Sequence, residues 1–350
     1  MKIGIIGPAM SGKSTLFRLL TGATAATGKG GIPQGAAKIP DKRLETLSAV
    51  FRPQKTTFAT VEFADFPALG AGGEMSGELI SRLKTLDALA VVVRAHQDPS
   101  VPWPAEPATP AAAFSAFLEE MILTDLVQLE KHLSRNKDKK RTPEETRLLE
   151  KCRELLEAMK PLAGESWQED ELPVLRNYAF LSLRPVLVAV NVDEAQLQEG
   201  SYPGREEITK LCREAGYPLL TFCGTLEQEI SRMAPEEQQE FMAAYGLKES
   251  GIARLAAAAY RLLDLISFFT VGKDEVRAWT IKNNTPAKKA AGKIHSDMER
   301  GFIRAEVINF SEFVELGSSL KAAREQGKLR LEGKDYPVQD GDIITFRFNV

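Results

Sequence analysis

The sequence predicts an α/β protein: a mostly parallel sheet covered on both faces, a helical hairpin inserted into it, and a small α+β module at the C-terminal end. Three observations carry this. Short, nearly continuous apolar runs ("KIGIIG", "ALAVVVR", "RPVLVAVN") alternate with segments of helical period, the texture of strands buried on both faces. Between the second and third runs the apolar spacing turns helical for a long stretch. From Ser267 onward the chain alternates short strands, one helix and turn signals such as "QDGD".

Composition narrows the class of protein. The 350 residues give room for about two or three domains, each with a sizeable core. Apolar residues at 43% and charged residues at 27% are an ordinary globular balance. A net charge of −3 excludes a polycation that binds nucleic acid by bulk attraction, so any basic face must be local. The three cysteines, Cys152, Cys212 and Cys223, are widely spaced and include no CxxC pair, which argues against a disulfide framework or zinc site and for a reducing cytoplasm. "MKIGIIG" is too short for the apolar core of a signal peptide, and no apolar run reaches the roughly 18 residues that cross a bilayer. The expectation is a cytoplasmic protein with no membrane partner.

In chain order, "KIGIIG" is the first strand and "SGKSTLFRLLTG" the first helix, closed by a glycine. Between them lies "GPAMSGKST", residues Gly7, Pro8, Ala9, Met10, Ser11, Gly12, Lys13, Ser14 and Thr15, which completes G-x-x-x-x-G-K-[ST]. The glycines let the backbone bend so that successive N–H groups face phosphate oxygens, and the following helix presents its positive end to the same anion. Lys13 supplies a point charge to the β- and γ-phosphates, and the Ser14 hydroxyl a hard oxygen for Mg²⁺. A strand before and a helix after the loop make this a nucleotide site. Asp65 ends the strand "ATVEFAD", where an acid can hold the metal through water.

A Gly/Ala/Thr-rich connection, "GATAATGKGGIPQGAAKIP", precedes that strand, and "ALAVVVR" is the next one. After a proline-rich connection, "AAAFSAFLEEMILTDLVQLEKHLSR" and "ETRLLEKCRELLEAMKPL" form two helices joined by the charged turn "NKDKKRTPEE", an antiparallel hairpin. "KDKK" reads as a solvated loop or as an RNA-contacting tip. The sheet texture then resumes with "RPVLVAVN", "GREEITKLCREAG" and "YPLLTFCG", followed by a helical tail to about Ile266. The boundaries this implies are 1–104 with 173–266 for the sheet domain, 105–172 for the hairpin and 267–350 for the last module.

The base should be read just beyond "VLVAVN". Guanine-selective proteins carry Asn-Lys-x-Asp there, with the Asp carboxylate accepting both guanine N–H donors. Here the positions are Asn191, Val192, Asp193 and Glu194. A carboxylate one methylene longer cannot take the same place, and Asp193 comes one position early, where an adjacent residue faces another way. Strict guanine selection is therefore not expected.

At this point the chain resembles the YchF/Obg-like ATPase family. The P-loop and "NVDE" match the family's nucleotide motifs. "FFTVGKDEVRAWTIKNNTPAKKAAGKIHSDMERGFIRAEVI" and "EGKDYPVQDGDIITFRFNV" resemble its C-terminal domain almost phrase for phrase. The resemblance spans essentially the full length and implies a P-loop NTPase G domain with an inserted α-helical hairpin arm and a C-terminal β-grasp (TGS-like) α+β domain. It further implies a monomer that binds Mg²⁺ with ATP or GTP, prefers ATP, and associates with the ribosome or a ribosomal subunit through RNA and protein. Val192 would offer its peptide groups to adenine, and Cys223 in "CGT" would close over the base.

Three departures from the family bear on catalysis. The first switch is shortened, leaving Thr27 as the best candidate for a metal-binding threonine. The second reads "DFPALGAGGEMSG", so Ala68 stands where a glycine N–H would meet the γ-phosphate, and Leu69 where other GTPases carry a water-orienting Gln. The family's loop histidine is missing; His96 is nearby and reads as an ordinary surface residue, and His295 as a packing or RNA-contacting one. The catalytic set is thus Lys13, Ala68 and Leu69, hydrolysis should be a weak ATPase or GTPase activity, and Leu69→Ala should barely change either binding or rate. A non-hydrolysing nucleotide scaffold and an RNA-binding protein with a vestigial site are the alternatives. In residues 267–350, 14 lysines and arginines face 12 acids, so RNA binding there would depend on clustering of "KNNTPAKKAAGK" and "ERGFIR" beside Trp279 or Phe302.

Overall fold

The computed structural model describes residues 1–22, 26–27, 31–69, 75–97, 103, 109–135 and 142–349. The "KDKK" turn and residues 70–74 of the second switch lie outside the described residues. Along the chain come β1 (Lys2–Ile6), α1 (Lys13–Thr21), β2 (Ala26–Thr27), β3 (Pro33–Lys38), α2 (Lys42–Phe51), β4 (Lys55–Thr57) and β5 (Thr60–Asp65). Next are α3 (Gly77–Leu83), β6 (Ala88–Arg94), α4 (Pro110–Arg135), α5 (Pro143–Glu157), α6 (Glu171–Tyr178) and β7 (Val186–Asn191). Then follow α7 (Glu194–Glu199), α8 (Arg205–Glu214), β8 (Leu219–Phe222), α9 (Gly224–Ile230), α10 (Pro235–Ala244) and α11 (Gly251–Leu262). The remainder is β9 (Leu265–Val271), β10 (Glu275–Lys282), α12 (Ala287–Ile294), α13 (Ser296–Arg300), β11 (Phe302–Asn309), α14 (Phe310–Glu315), α15 (Leu320–Glu325), β12 (Arg330–Glu332) and β13 (Asp342–Phe348).

These elements form two compact units, Met1–Ala36 with Glu62–Ala259, and Ala37–Val61 with Tyr260–Val350. In the first, the sheet order is β2-β3-β5-β1-β6-β7-β8. The pairs β1–β5, β1–β6, β6–β7 and β7–β8 are parallel, as the continuous apolar runs require, and every residue of β6 and β7 is buried. The Gly/Ala/Thr-rich connection adds β2 and β3, an antiparallel pair at the sheet edge.

The hairpin packs against this sheet. Phe114, Phe117 and Met121 on α4, and Leu149, Cys152 and Leu156 on α5, are fully buried in the same core as Leu89, Val91 and Val93 of β6. A strand apolar on both faces needs a helix over each, and α4 supplies one of them. Midway along α4, Asp125 is fully buried, and its carboxylate accepts from the N–H of Leu181 (2.8 Å) and Ser182 (2.7 Å), the loop leading into β7. Burial pushes the Asp125 carboxyl up from its ordinary range, against the opposing donors of Ser182 and Leu181 and the charge of Lys84.

The second unit is a six-stranded sheet in the order β12-β11-β13-β9-β10-β4. Its core includes Phe268, Ile281, Ala290, Ala305, Val307, Val338 and Ile344. Residues 37–61, assigned from sequence to the first domain, cluster here instead. β4 pairs in parallel with β10, Lys55 opposite Glu275, and the Arg43 guanidinium bridges Asp41 and Asp340 at 2.8 and 2.7 Å. The expected helix "TPAKKAAGKIHSDMERG" is two helices, because His295 is extended at φ −157° and its Nδ1 accepts from the N–H of Asp297 as the cap of α13.

Removing the Asp125 carboxylate leaves two buried N–H groups without acceptors. We expect Asp125→Ala to lower the unfolding free energy by on the order of 3 kcal/mol in urea titrations. The pH dependence follows from the raised folded-state pKa. Above the unfolded value of about 3.9 the folded protein holds this proton longer, so the group's stabilisation is complete below that pH and is lost as pH rises through the folded value. The stability of the wild type relative to Asp125→Asn should accordingly fall as pH rises from about 4.

Candidate nucleotide site

The loop between β1 and α1 owes its shape to two glycines. Gly7 has φ +147°, and a Cβ there would sit 2.1 Å from the carbonyl oxygen of Val92. Gly12 has φ +97°, and a Cβ there would meet the Asn191 side-chain nitrogen at 2.3 Å. Neither position admits a side chain. Lys13 is almost fully buried and its Nζ donates to the carbonyl of Pro8 at 2.7 Å. Desolvation lowers the Lys13 pKa, and the negative charge of Asp65 counters it.

Two clefts open on this loop. One, of about 800 Å³, is bounded by Ala9, Met10, Lys13 and Ser14, by Asp65 and Ala68, and by Glu78 and Arg82 of α3. Ser14 and Asp65 therefore share it, and Asp65 Oδ1 is buried with no hydrogen-bond partner among the described residues. A hydroxyl and a carboxylate oxygen are the hard donors Mg²⁺ takes when it keeps several waters, so these residues fit the ion. Ser11 Oγ, on the loop, is a second buried oxygen without a partner there.

The other cleft, of about 510 Å³, runs from Gly12 to Thr15 past His96 and Gln97 to Asn191, Val192 and Asp193, and is closed by Gly224, Thr225 and Gln228. Asn191 holds its parts together. Its side-chain nitrogen donates to Ser11 O (3.1 Å), and its Oδ1 accepts from Gly224 N–H (3.0 Å).

Several expectations change here. Glu194 is not among the residues lining the cleft; its carboxylate accepts from the Tyr245 hydroxyl at 3.3 Å. The reason is the start of α7, where Asp193 is the N-cap and lines the cleft while Glu194 enters the helix. The Asp193 oxygens are engaged within the protein: Oδ1 accepts from Gln196 N–H at 2.9 Å and Oδ2 from Gln97 N–H at 3.4 Å. Cys223 is buried with its sulfur 3.1 Å from the Thr225 hydroxyl, and Gly224 and Thr225 line the cleft in its place. His96 lines the cleft and is not an ordinary surface residue. Gln97 and Gln228 went unrecognised in the sequence, since no motif marks either one.

The second switch departs as well. Leu69 is buried in the core of the unit, and its N–H donates to Gly7 O at 3.1 Å, so its side chain does not take the place of a water-orienting group. Ala68 is exposed and lines the phosphate-side cleft with a methyl group. Thr27 lies in β2, and its side chain falls outside the described residues.

Since Leu69 fills core volume, Leu69→Ala should be felt in stability, which the expectation on binding and rate did not address. It should cost about 2–4 kcal/mol by denaturant titration. Loss of stability without loss of Mg²⁺–nucleotide affinity is the expected pattern; unchanged stability would mean the side chain leaves the core in solution.

Residues 265–349 match the YchF-GTPase_C family model, described as a protein of unknown function (DUF933). The chain is 36% identical over 365 aligned residues to the Ribosome-binding ATPase YchF of Bacillus subtilis, covering 99% of each chain. It is 35% identical to the protein of that name from Escherichia coli O157:H7, across 100% of this chain and 99% of the relative. The solved structure of the Schizosaccharomyces pombe YchF GTPase superposes with a TM-score of 0.88 at 26% identity, covering 99% of this chain and 97% of that one. A GTP-binding protein from Pyrococcus horikoshii OT3 shares the fold, with a TM-score of 0.55 at 19% identity over 100% of both chains. With identity of this order along the whole chain, the protein belongs to the YchF family.

Proposed function

We propose that this chain is a Mg²⁺-dependent, ATP-preferring nucleotide switch that works on ribosomes. The glycine loop and Lys13 bind the phosphates, with Ser14 and Asp65 as the residues that hold the metal. Bound there, Mg²⁺ neutralises phosphate charge. The base occupies the cleft of Val192, Asp193 and Gln228. Ribosome association rests on relatives that carry the name ribosome-binding ATPase, and with it go contact with RNA, a cytoplasmic location and a monomeric protein. The three-part division, with 105–172 as a functional arm and 267–350 as the RNA-facing module, belongs to the same proposal. No helix among the described residues is long and apolar enough to cross a membrane.

One observation carries the base preference. Both oxygens of Asp193, the carboxylate at the cleft, already accept protein N–H groups. Guanine would have to share those oxygens with the protein N–H groups, which weakens what Asp193 can offer its two N–H donors. Titration calorimetry with Mg²⁺–ATP and Mg²⁺–GTP tests this. ATP should bind at least as tightly as GTP, and a GTP preference above about tenfold, roughly 1.4 kcal/mol, refutes it.

Hydrolysis by the isolated protein should be slow. Phosphoryl transfer depends on positioning and charge neutralisation, and Lys13, Ser14 and Asp65 serve the second need. For the first, the cleft offers the Ala68 methyl, and its remaining carboxylate, Glu78, is paired with Arg82 at 2.6 Å. Single-turnover assays should give a rate below about 1 s⁻¹ without ribosomes, rising when ribosomes are added. Turnover at or above that rate in isolation contradicts this account. Absence of turnover under both conditions favours the non-hydrolysing scaffold.

A further inference from the structure

The base cleft holds more hydrogen-bonding side chains than a purine needs, and several are already committed. The Asn191 amide has both ends engaged, by Ser11 O and Gly224 N–H. Both Asp193 oxygens accept backbone N–H groups. The Thr225 hydroxyl lies 3.1 Å from the Cys223 sulfur, and Lys13 reaches Pro8 O on the phosphate side. Of the other lining side chains, Ser14 and Thr15 belong to the phosphate loop and His96 is a ring, and the amides are Gln97 and Gln228. Gln97 is exposed, on the loop after β6. Gln228 is half-buried and rides on α9, whose start at Gly224 is tied to Asn191. Among the described residues, the Gln228 side chain makes no hydrogen bond.

From this inventory we infer that Gln228 is a specificity-determining residue that reads the 6-amino group of adenine. The inference rests on the ATP-preferring reading of the site. A primary amide pairs an acceptor with a donor. Its oxygen takes an N–H of the adenine 6-amino group, and its NH₂ gives to the adjacent ring nitrogen, the two-point match that glutamine makes with adenine in nucleic-acid recognition. The opposed 7-nitrogen and 6-oxygen edge of guanine presents two acceptors and leaves the amide oxygen unmatched. α9 sets the Gln228 backbone on a regular element fixed through Gly224, which places the amide at the cleft. Selection then acts at two places: Gln228 favours the 6-amino group, and the Asp193 carboxylate offers guanine only oxygens it already shares with protein N–H groups.

The test separates base reading from general packing. Affinities of Mg²⁺–ATP and of Mg²⁺–purine riboside 5′-triphosphate, which lacks the 6-amino group, are measured by calorimetry on the full chain and on Gln228→Leu. The wild type should bind ATP about tenfold more tightly than the deaminated analogue, the range of one hydrogen bond in a closed site. In Gln228→Leu that ratio should fall to near one, while the analogue itself loses only its hydrogen bond from the amide NH₂ to the ring nitrogen. Because the ratio is taken within one variant, altered folding cancels; Gln228→Asn, which withdraws the amide by one methylene, should lie between. An unchanged ratio in Gln228→Leu, with ATP still preferred over GTP by the wild type, overturns the role of Gln228 and leaves the ATP preference intact. A wild-type preference for GTP overturns both.

Discussion

The nucleotide site depends on one buried amide. Asn191, at the end of β7, donates to Ser11 O in the glycine loop and accepts from Gly224 N–H at the start of α9. Three chain segments that share no local sequence meet at that side chain. Its contact with Gly12 is so close that a Cβ at position 12 would collide with it, so the glycine and the asparagine require each other. In a low-dielectric interior both hydrogen bonds are strengthened, and losing either would leave a buried polar group unpaired. The phosphate loop and the base cleft are in this way one preorganised element, and less ordering remains for nucleotide binding to bring about.

On the phosphate side the balance is electrostatic. Burial disfavours the Lys13 ammonium while the Asp65 charge favours it, and Pro8 O gives it a partner. The chain beyond Asp65 is held to the loop as well, by Phe66 N–H to Ile5 O and Leu69 N–H to Gly7 O. The side chain of Leu69 goes inward from that hydrogen bond, so the backbone is anchored at the very place where a catalytic side chain would be wanted. On the proposed reading, phosphate and metal ligands beside a hydrophobic anchor suit the site to holding a nucleotide more than to hydrolysing it unaided.

What the sequence disclosed was what is local. Gly7 through Thr15 announce a phosphate loop because strand, turn and helix are adjacent, and the apolar runs disclose the parallel strands because burial on both faces removes polar residues. The base cleft was less legible. One shift of a helix start, with Asp193 as the cap, exchanged the expected positions of Asp193 and Glu194. Gln228 became visible only once α9 had been placed beside β7. Likewise β4 is three polar residues, "KTT", whose strand identity comes wholly from pairing with β10, more than two hundred residues later.

The same non-local pairing changes how the second unit must be regarded. A domain added at the end of a chain is joined by one crossing, whereas here the chain crosses three times, after Ala36, after Val61 and after Ala259. The excursion begins within β3 and returns within β5, the strand that ends at Asp65. Within the second unit that excursion is structural: Leu44 and Leu47 of α2 are fully buried, Phe51 stacks on Phe313, and Arg43 lies over the Phe269 ring while bridging Asp41 and Asp340. Asp340 in turn accepts from Ser267 N–H at the start of the C-terminal segment. Residues 260–350 are therefore only part of a unit whose remainder is encoded between the glycine loop and Asp65. Covalent continuity alone makes the nucleotide-binding strands and the C-terminal sheet parts of one folding problem.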